Sequence, residues 1–259
     1  MKLGIGTVQF GLTYGIFNQC GQTSLAEVKN ILNTAQQYGI KLLDTASLYG
    51  NSEEILGRSL TPNYDFKIVT KTPYFNVSKI TKRETLQLVS TFKKSLEKLN
   101  QNKVYGVLFH NADDVFSANG YLLVNELCRL KSKNLIQKIG FSVYSVRQID
   151  QLLKAFEFDL IQVPINIFDQ RLLLSGHLKQ LKRSHIEIHA RSIFLQGLIL
   201  MPSVRVPLFS RPIVDLLEKY KKMLNQRGIT SIDAALNFVK NVEYIDYILI
   251  GVNNEKQHL

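Results

Sequence analysis

Residues 40–71, IKLLDTASLYGNSEEILGRSLTPNYDFKIVTK, hold a short apolar run, an amphipathic run and a second short apolar run. Ile40–Asp44 reads as a strand, Ser52–Ser59 as a short helix and Phe66–Lys71 as the next strand. The same alternation extends outward in both directions. Before it, Lys2–Gln9 reads as a strand and Leu25–Tyr38 as a helix, with Ser24 or Thr23 as N-cap and Gly39 just past its end. After it come a helix capped by Thr81 and running to about Leu99, the strand Val104–His110, the helix Tyr121–Lys133 and the strand Gln137–Val143. Val146–Ala155 then reads as a helix, Leu160–Pro164 as a strand, Leu172–Arg183 as a helix and Glu187–Ser192 as a strand. A long connection leads to helices near Pro212–Arg227 and Ile232–Lys240 and to a last strand, Tyr247–Gly251.

Strands that alternate with helices must lie parallel, because each crossover returns the chain to the same end of the sheet. An open doubly wound sheet and a closed barrel both satisfy that rule. The count of eight strands favours the α/β class in its (β/α)₈ (TIM) barrel form, and so do polar residues at the C-terminal ends of several strands. With no break in composition, residues 1–259 are expected to form one domain. Only Asn254–Leu259 follow the last strand, so the final helix is expected to be shortened.

A chain of 259 residues is long enough to bury a full core without a disulfide or metal. Its 45% hydrophobic and 20% charged residues are ordinary for a globular protein. Cys20 and Cys128 form no CxxC pair, and His177, His185, His189 and His258 share no metal-ligand spacing. Neither a disulfide framework nor a metal is expected, which fits a cytoplasmic location. No signal-peptide pattern opens the chain and no stretch of 18 apolar residues occurs, so no membrane partner is expected. The net charge of +11 comes from dispersed lysines, such as Lys93, Lys94 and Lys98, that read as solvated helix faces. Basic stripes with interleaved aromatics are missing, so nucleic acid is not an expected partner. A positive field that attracts a phosphate-bearing cofactor is the useful alternative.

Asp44 ends the second strand, Lys71 the third and His110 the fourth, and Tyr49 lies in the loop after Asp44. In a barrel these four converge on one mouth. They suit carbonyl reduction, which needs an acid for the oxygen beside a hydride donor. A tyrosine can be that acid when an ammonium lowers its pKa, and a carboxylate can hold the lysine in place. The alternative is structural, with Asp44 and Lys71 a buried ion pair, Tyr49 a rim aromatic and His110 a satisfied core histidine.

The stretch Asp44-Thr-Ala-Ser-Leu-Tyr49-Gly50-Asn-Ser52-Glu53-Glu-Ile-Leu56-Gly57 resembles the signature of the aldo-keto reductases. Val69-Thr70-Lys71 is similar to the family's lysine strand, and Leu108-Phe109-His110-Asn-Ala-Asp113 to its histidine segment. The resemblance runs from Gly4 to Val252. It implies that Tyr49 donates the proton, Lys71 lowers its pKa, Asp44 holds Lys71 and His110 orients the carbonyl of a small-molecule substrate. It also implies a nicotinamide cofactor bound in an extended pose across the barrel mouth, without a Rossmann fold.

For that cofactor the resemblance points to Gly6 and Thr7, to Ser142, Gln162 and Asn166, and to the segment Arg191, Ser192, Phe194, Gln196 and Gly197. Gly251, Val252 and Asn253 form its last-strand turn. Three positions depart from the pattern. Val143 stands where the family usually has Asn, and Arg191 where an aromatic stacks on nicotinamide, so Arg191 is expected to reach a phosphate, an anionic substrate or a rim ion pair. Asn253 stands where a base often meets the 2′-phosphate. The positive charge leans toward NADP(H) over NAD(H).

Asp113 and Asp114 read as capping or surface residues, Tyr74 and Phe75 as a substrate wall or packing, and Met201–Pro212 as a loop over the mouth. Two other functions stay open. One is a non-catalytic barrel of the same family that binds nicotinamide as a sensor or docking module. The other is a lyase or epimerase that uses Asp44 and Lys71 without a nicotinamide. The physiological substrate and the oligomeric state are not legible in the sequence.

Overall fold

The computed structural model describes residues 2–16, 18, 20–61, 63–202 and 213–254. Eight parallel strands close into a barrel in chain order: β1 Lys2–Gly6, β2 Leu42–Asp44, β3 Lys67–Lys71, β4 Val104–Phe109, β5 Ile136–Ser142, β6 Leu160–Pro164, β7 Glu187–Arg191 and β8 Tyr247–Gly251. Ring closure comes from β1 pairing with β8, with Lys2 opposite Tyr247 and Gly6 opposite Gly251. The helices on the outside are α1 Val8–Gly11, α2 Leu25–Gln37, α3 Ser52–Ser59, α4 Lys82–Leu99, α5 Tyr121–Ser132 and α6 Val146–Ala155, followed by α7 Arg171–Leu174, α8 His177–Arg183, α9 Val214–Asn225 and α10 Ser231–Lys240. Among the described residues none is long and apolar enough to cross a membrane.

Side chains alternate across each strand, so parity sorts them into two cores. Leu43, Ile68, Val107, Phe109, Ile139, Phe141 and Ile161 face outward and pack under the helices. Leu42, Val69, Leu108, Leu160, Tyr247 and Leu249 fill the barrel interior. Glycine makes room there: a Cβ on Gly140 would lie 1.8 Å from the Leu160 carbonyl oxygen, so β5 and β6 approach closely only because Gly140 has none. Two residues above this inner layer, the same parity turns Asp44, Lys71, Ser142 and Gln162 inward at the C-terminal end. That end is where barrels of this kind carry their loops.

A charged layer closes the opposite end. Glu187 accepts hydrogen bonds from Lys138 Nζ at 2.6 Å, Tyr105 OH at 2.7 Å and His189 Nε2 at 2.8 Å. Burial would raise the Glu187 carboxyl, but these three donors hold it at about 2.

Local chemistry sets the helix ends. Ser24 caps α2 by accepting from the Glu27 N–H, and Thr81 and Glu84 form a reciprocal capping box at α4. Two elements differ from their sequence reading. The first strand stops at Gly6, because the chain turns into α1, which fits Gly11 against the loop that carries Tyr49. The single helix expected over Leu172–Arg183 is split by Gly176 at φ 77°, a left-handed conformation that no helix interior holds. The loop expected over Met201–Pro212 lies mostly outside the described residues, as do residues 255–259, on which the expected shortened last helix rests.

Candidate active site

Asp44, Lys71, Tyr49 and His110 meet at the C-terminal mouth. Lys71 Nζ donates to Asp44 Oδ2 at 2.7 Å, to the Thr45 carbonyl at 3.0 Å and to Tyr49 OH at 3.2 Å. Lys71 and Asp44 are buried. Burial alone would push the Lys71 ammonium toward neutrality, but the Asp44 charge and the Tyr49 hydroxyl raise its pKa above the usual lysine value, so it stays charged. The second Asp44 oxygen accepts from Gln162 Nε2 at 2.8 Å. Each carboxylate oxygen thus has a donor, one charged and one neutral.

The Tyr49 ring packs edge-on to His110, with centroids 5.7 Å apart. Burial pushes the Tyr49 phenol above its ordinary value, and Lys71 opposes that rise without overcoming it. Lys71 does lower the phenol, as the sequence reading expects, but burial sets the net direction. Desolvation of the ring outweighs the ammonium, and Tyr49 is held as a protonated phenol. His110 goes the other way: burial first, then the charges of Lys71 and Arg191, lower its imidazole to about 3. His110 is neutral near pH 7, and its buried Nδ1 has no hydrogen-bond partner among the described residues. A neutral imidazole with a spare nitrogen can orient a carbonyl oxygen. Of the two groups beside one another, Tyr49 is the stronger acid, because the neutral imidazole keeps its single N–H as a hydrogen-bond donor.

The turn carrying Tyr49 is fixed from below. Ser52 Oγ donates to the Thr7 carbonyl at 2.8 Å and shares a hydrogen bond with Thr7 Oγ1 at 2.9 Å. Thr7 Oγ1 also donates to the Asp44 carbonyl at 3.1 Å. Gly11 sits so close to this turn that a Cβ would lie 1.8 Å from the Tyr49 carbonyl oxygen, and Gly50 needs φ 57° to complete it. Glu53, next to Ser52 and also buried, accepts from Thr70 Oγ1 at 2.6 Å and so ties α3 to the residue before Lys71. Gly11 and Glu53 carried no role in the sequence reading. Glu53 lies inside the signature, whereas Gly11 acts through a contact that no local pattern reveals.

The residues expected at a nicotinamide differ in what they touch. Gly6 lies between Asp44 on β2 and Gly251 on β8, and a Cβ there would meet the Ile250 carbonyl oxygen at 3.7 Å, an ordinary van der Waals contact. Ser142 and Gln162 stand opposite each other on β5 and β6, buried and facing inward. Asn166 is bound into the fold instead: its Nδ2 donates to the Ser192 carbonyl at 3.2 Å and its Oδ1 accepts from the Phe168 and Asp169 N–H groups. Phe194, Gln196 and Gly197 lie in the turn after β7, where Ser192, Gln196 and Gly197 all have positive φ. That turn is joined to the β1–α2 loop by the Ile16 N–H on the Gln196 carbonyl. Val252 is buried and Asn253 follows it beyond β8.

Two expectations shift at the rim. Asp114 is neither a cap nor a surface residue. It is buried and accepts from the Phe75 and Asn76 N–H groups at 3.2 Å each, and so holds the loop that carries Tyr74 against His110, ring centroids 4.7 Å apart. Asp113 accepts from Gln148. Arg191 makes no rim ion pair among the described residues, and its guanidinium lies over Tyr144.

The sequence model described as "Aldo/keto reductase family" matches residues 2–258. No curated protein matches the chain. Among solved structures, aldo-keto reductase AKR11C1 from Bacillus halodurans, in its holo form, superposes with a TM-score of 0.75 at 18% identity, covering 99% of this chain and 83% of its own. The glycerol dehydrogenase AKR11B4 from Gluconobacter oxydans gives a TM-score of 0.72 at 20% identity, covering 98% and 83%. At such identity these two likenesses speak to the fold.

Proposed function

The chain belongs to the aldo/keto reductase family, an oxidoreductase family that uses nicotinamide cofactors, and we propose that it reduces an aldehyde or ketone to the alcohol with Tyr49 as proton donor. One observation carries this reading: the buried Lys71 ammonium sits 2.7 Å from Asp44 and 3.2 Å from the Tyr49 hydroxyl. A purely structural Asp–Lys pair has no need of a phenol on the third donor position of the ammonium, nor of a neutral imidazole packed on that phenol.

The mouth fits the cofactor chemically. Ser142 and Gln162 offer a hydroxyl and an amide to a carboxamide, and the unpaired His110 nitrogen supplies a hydrogen-bonding group for the reacting oxygen. When bound, the reduced nicotinamide supplies the hydride to the carbonyl carbon. Tyr49 passes its hydroxyl proton to the carbonyl oxygen, and the developing phenolate is stabilised by Lys71, which Asp44 and Gln162 hold in place. Gln162 has two claims on it, since it already donates to Asp44. Of the two cofactors, NADP(H) is the better match for a chain of charge +11, and we assign the enzyme to the cytoplasm.

Mixing the purified protein with NADPH or NADH and a panel of aldehydes tests the reading. Oxidation of either cofactor that depends on the aldehyde supports it. Tight binding without oxidation instead supports the sensor alternative, and turnover without any nicotinamide the lyase alternative.

A further inference from the structure

Arg191 ends β7 at the place where the sequence resemblance calls for an aromatic side chain. Its guanidinium carbon lies 4.2 Å from the centroid of the Tyr144 ring. One terminal nitrogen donates to the Val143 carbonyl at 3.0 Å and the other to Ser192 Oγ at 3.1 Å. A stack and two hydrogen bonds fix the plane of a side chain that is otherwise costly to order. A guanidinium has five N–H donors, and these bonds use two. No Asp or Glu pairs with Arg191 among the described residues. The cation is therefore oriented, half-buried and without a countercharge.

Its charge is felt at the reaction centre. It lowers the His110 imidazole together with burial and Lys71, and it is the main influence opposing the rise of the Tyr14 phenol. Arg191 ends β7 opposite Pro164 of β6, at the same C-terminal mouth as Asp44, Lys71 and Gln162. A bare cation there is unfavourable beside a nicotinamide ring that becomes positive on oxidation, unless a ligand brings negative charge. Tyr144 also lines a surface groove of about 560 Å³ together with Asp113, Arg147, Gln148 and Gln151.

From this arrangement we infer that the substrate is an anionic carbonyl compound whose carboxylate or phosphate is received by Arg191 against the face of Tyr144. The inference rests on the reductase reading and specifies its substrate class. Planar, forked N–H groups match a carboxylate or phosphate, and the stacked ring keeps the fork from turning away when the site is empty of anion.

Matched aldehyde pairs test it: 4-formylbenzoate against its methyl ester, and glyceraldehyde 3-phosphate against glyceraldehyde. The expected result is at least a tenfold higher kcat/KM for the charged member of one pair. Arg191→Met abolishes that preference and Arg191→Lys keeps part of it, whatever happens to the neutral rate. Turnover of both members with no preference, or a preference that survives in Arg191→Met, overturns the inference and leaves the reductase reading standing. A loss of NADPH affinity in Arg191→Met with the preference intact overturns it too, and places the side chain on the cofactor's phosphates. If no aldehyde oxidises either cofactor, the reductase reading fails by itself. Titrations of the protein with benzoate and benzamide then decide the anion site: tighter binding of benzoate that is lost in Arg191→Met supports it, and equal binding refutes it.

Discussion

Replacing Lys71 by methionine separates the two jobs that the structure gives its ammonium. Toward Tyr49, a full phenolate charge 3.2 Å from Nζ is worth about 5 kcal/mol at an effective dielectric of about 20. If roughly half of that charge has developed in the transition state, about 2.5 kcal/mol is lost, which slows turnover on the order of 10²-fold. Toward Asp44, the substitution strips the charged partner from a carboxylate whose side chain is only 7% exposed. Gln162 remains as its donor. Removing one member of a buried pair costs roughly 3–5 kcal/mol of stability. Urea unfolding reads the second effect and the rate of NADPH oxidation reads the first. The double variant Asp44→Asn/Lys71→Met removes the stranded charge, so it should regain most of the stability and none of the turnover. Turnover within threefold of wild type in Lys71→Met, or recovery of activity in the double variant, would refute this division of labour.

The titration behaviour yields a second expectation. With His110 held at about 3 by burial, Lys71 and Arg191, kcat/KM for reduction should show no break near pH 6.5. With burial raising Tyr49 above 10, the rate should fall only at strongly alkaline pH, and an inflection between 6 and 7 would show that a charged His110 takes part. At the other end of the barrel, Glu187 has a folded pKa of about 2 against an ordinary 4.5, so its contribution is full above pH 4.5 and fades as pH falls toward 2. Glu187→Gln should cost roughly 3–5 kcal/mol near neutrality and flatten the acid limb of stability against pH; an unchanged limb contradicts the assignment. Gly11→Ala forces a Cβ to 1.8 Å from the Tyr49 carbonyl oxygen. The turn must move, and turnover should drop at least tenfold while the helical circular dichroism stays native; wild-type kinetics would show the contact to be unimportant.

Much of this site was readable because the side-chain parity of a strand is a property of the sequence itself. Once Leu42, Val69 and Leu160 point inward, Asp44, Lys71 and Gln162 must do so two residues later. The four residues that meet at the mouth were named from strand ends and from the resemblance of residues 44–57 to a known signature. What escaped was tertiary. Nothing near Gly11 says that its backbone will abut the Tyr49 turn, so Val8 and Gln9 read as more strand. Gly176 is one glycine in a helical pattern, and only its left-handed φ shows that the helix restarts there. Asp114 looked like a surface residue because its two N–H donors come from a loop far away in sequence. The direction of the Tyr49 shift depended on weighing burial against one ammonium, and burial is not visible in a string of letters. Arg191 stood out as a departure, but its stack on Tyr144 required the ends of β5 and β7 to be placed together.

The most direct test of the central claim compares the wild-type chain with Tyr49→Phe, titrating each with NADPH and NADH by fluorescence and then adding an aldehyde. The substitution removes one hydroxyl and leaves the ring that packs on His110. The account predicts cofactor affinity within a few-fold of wild type and turnover reduced by two or more orders of magnitude. Undiminished turnover in Tyr49→Phe would contradict it, because another group would then be supplying the proton.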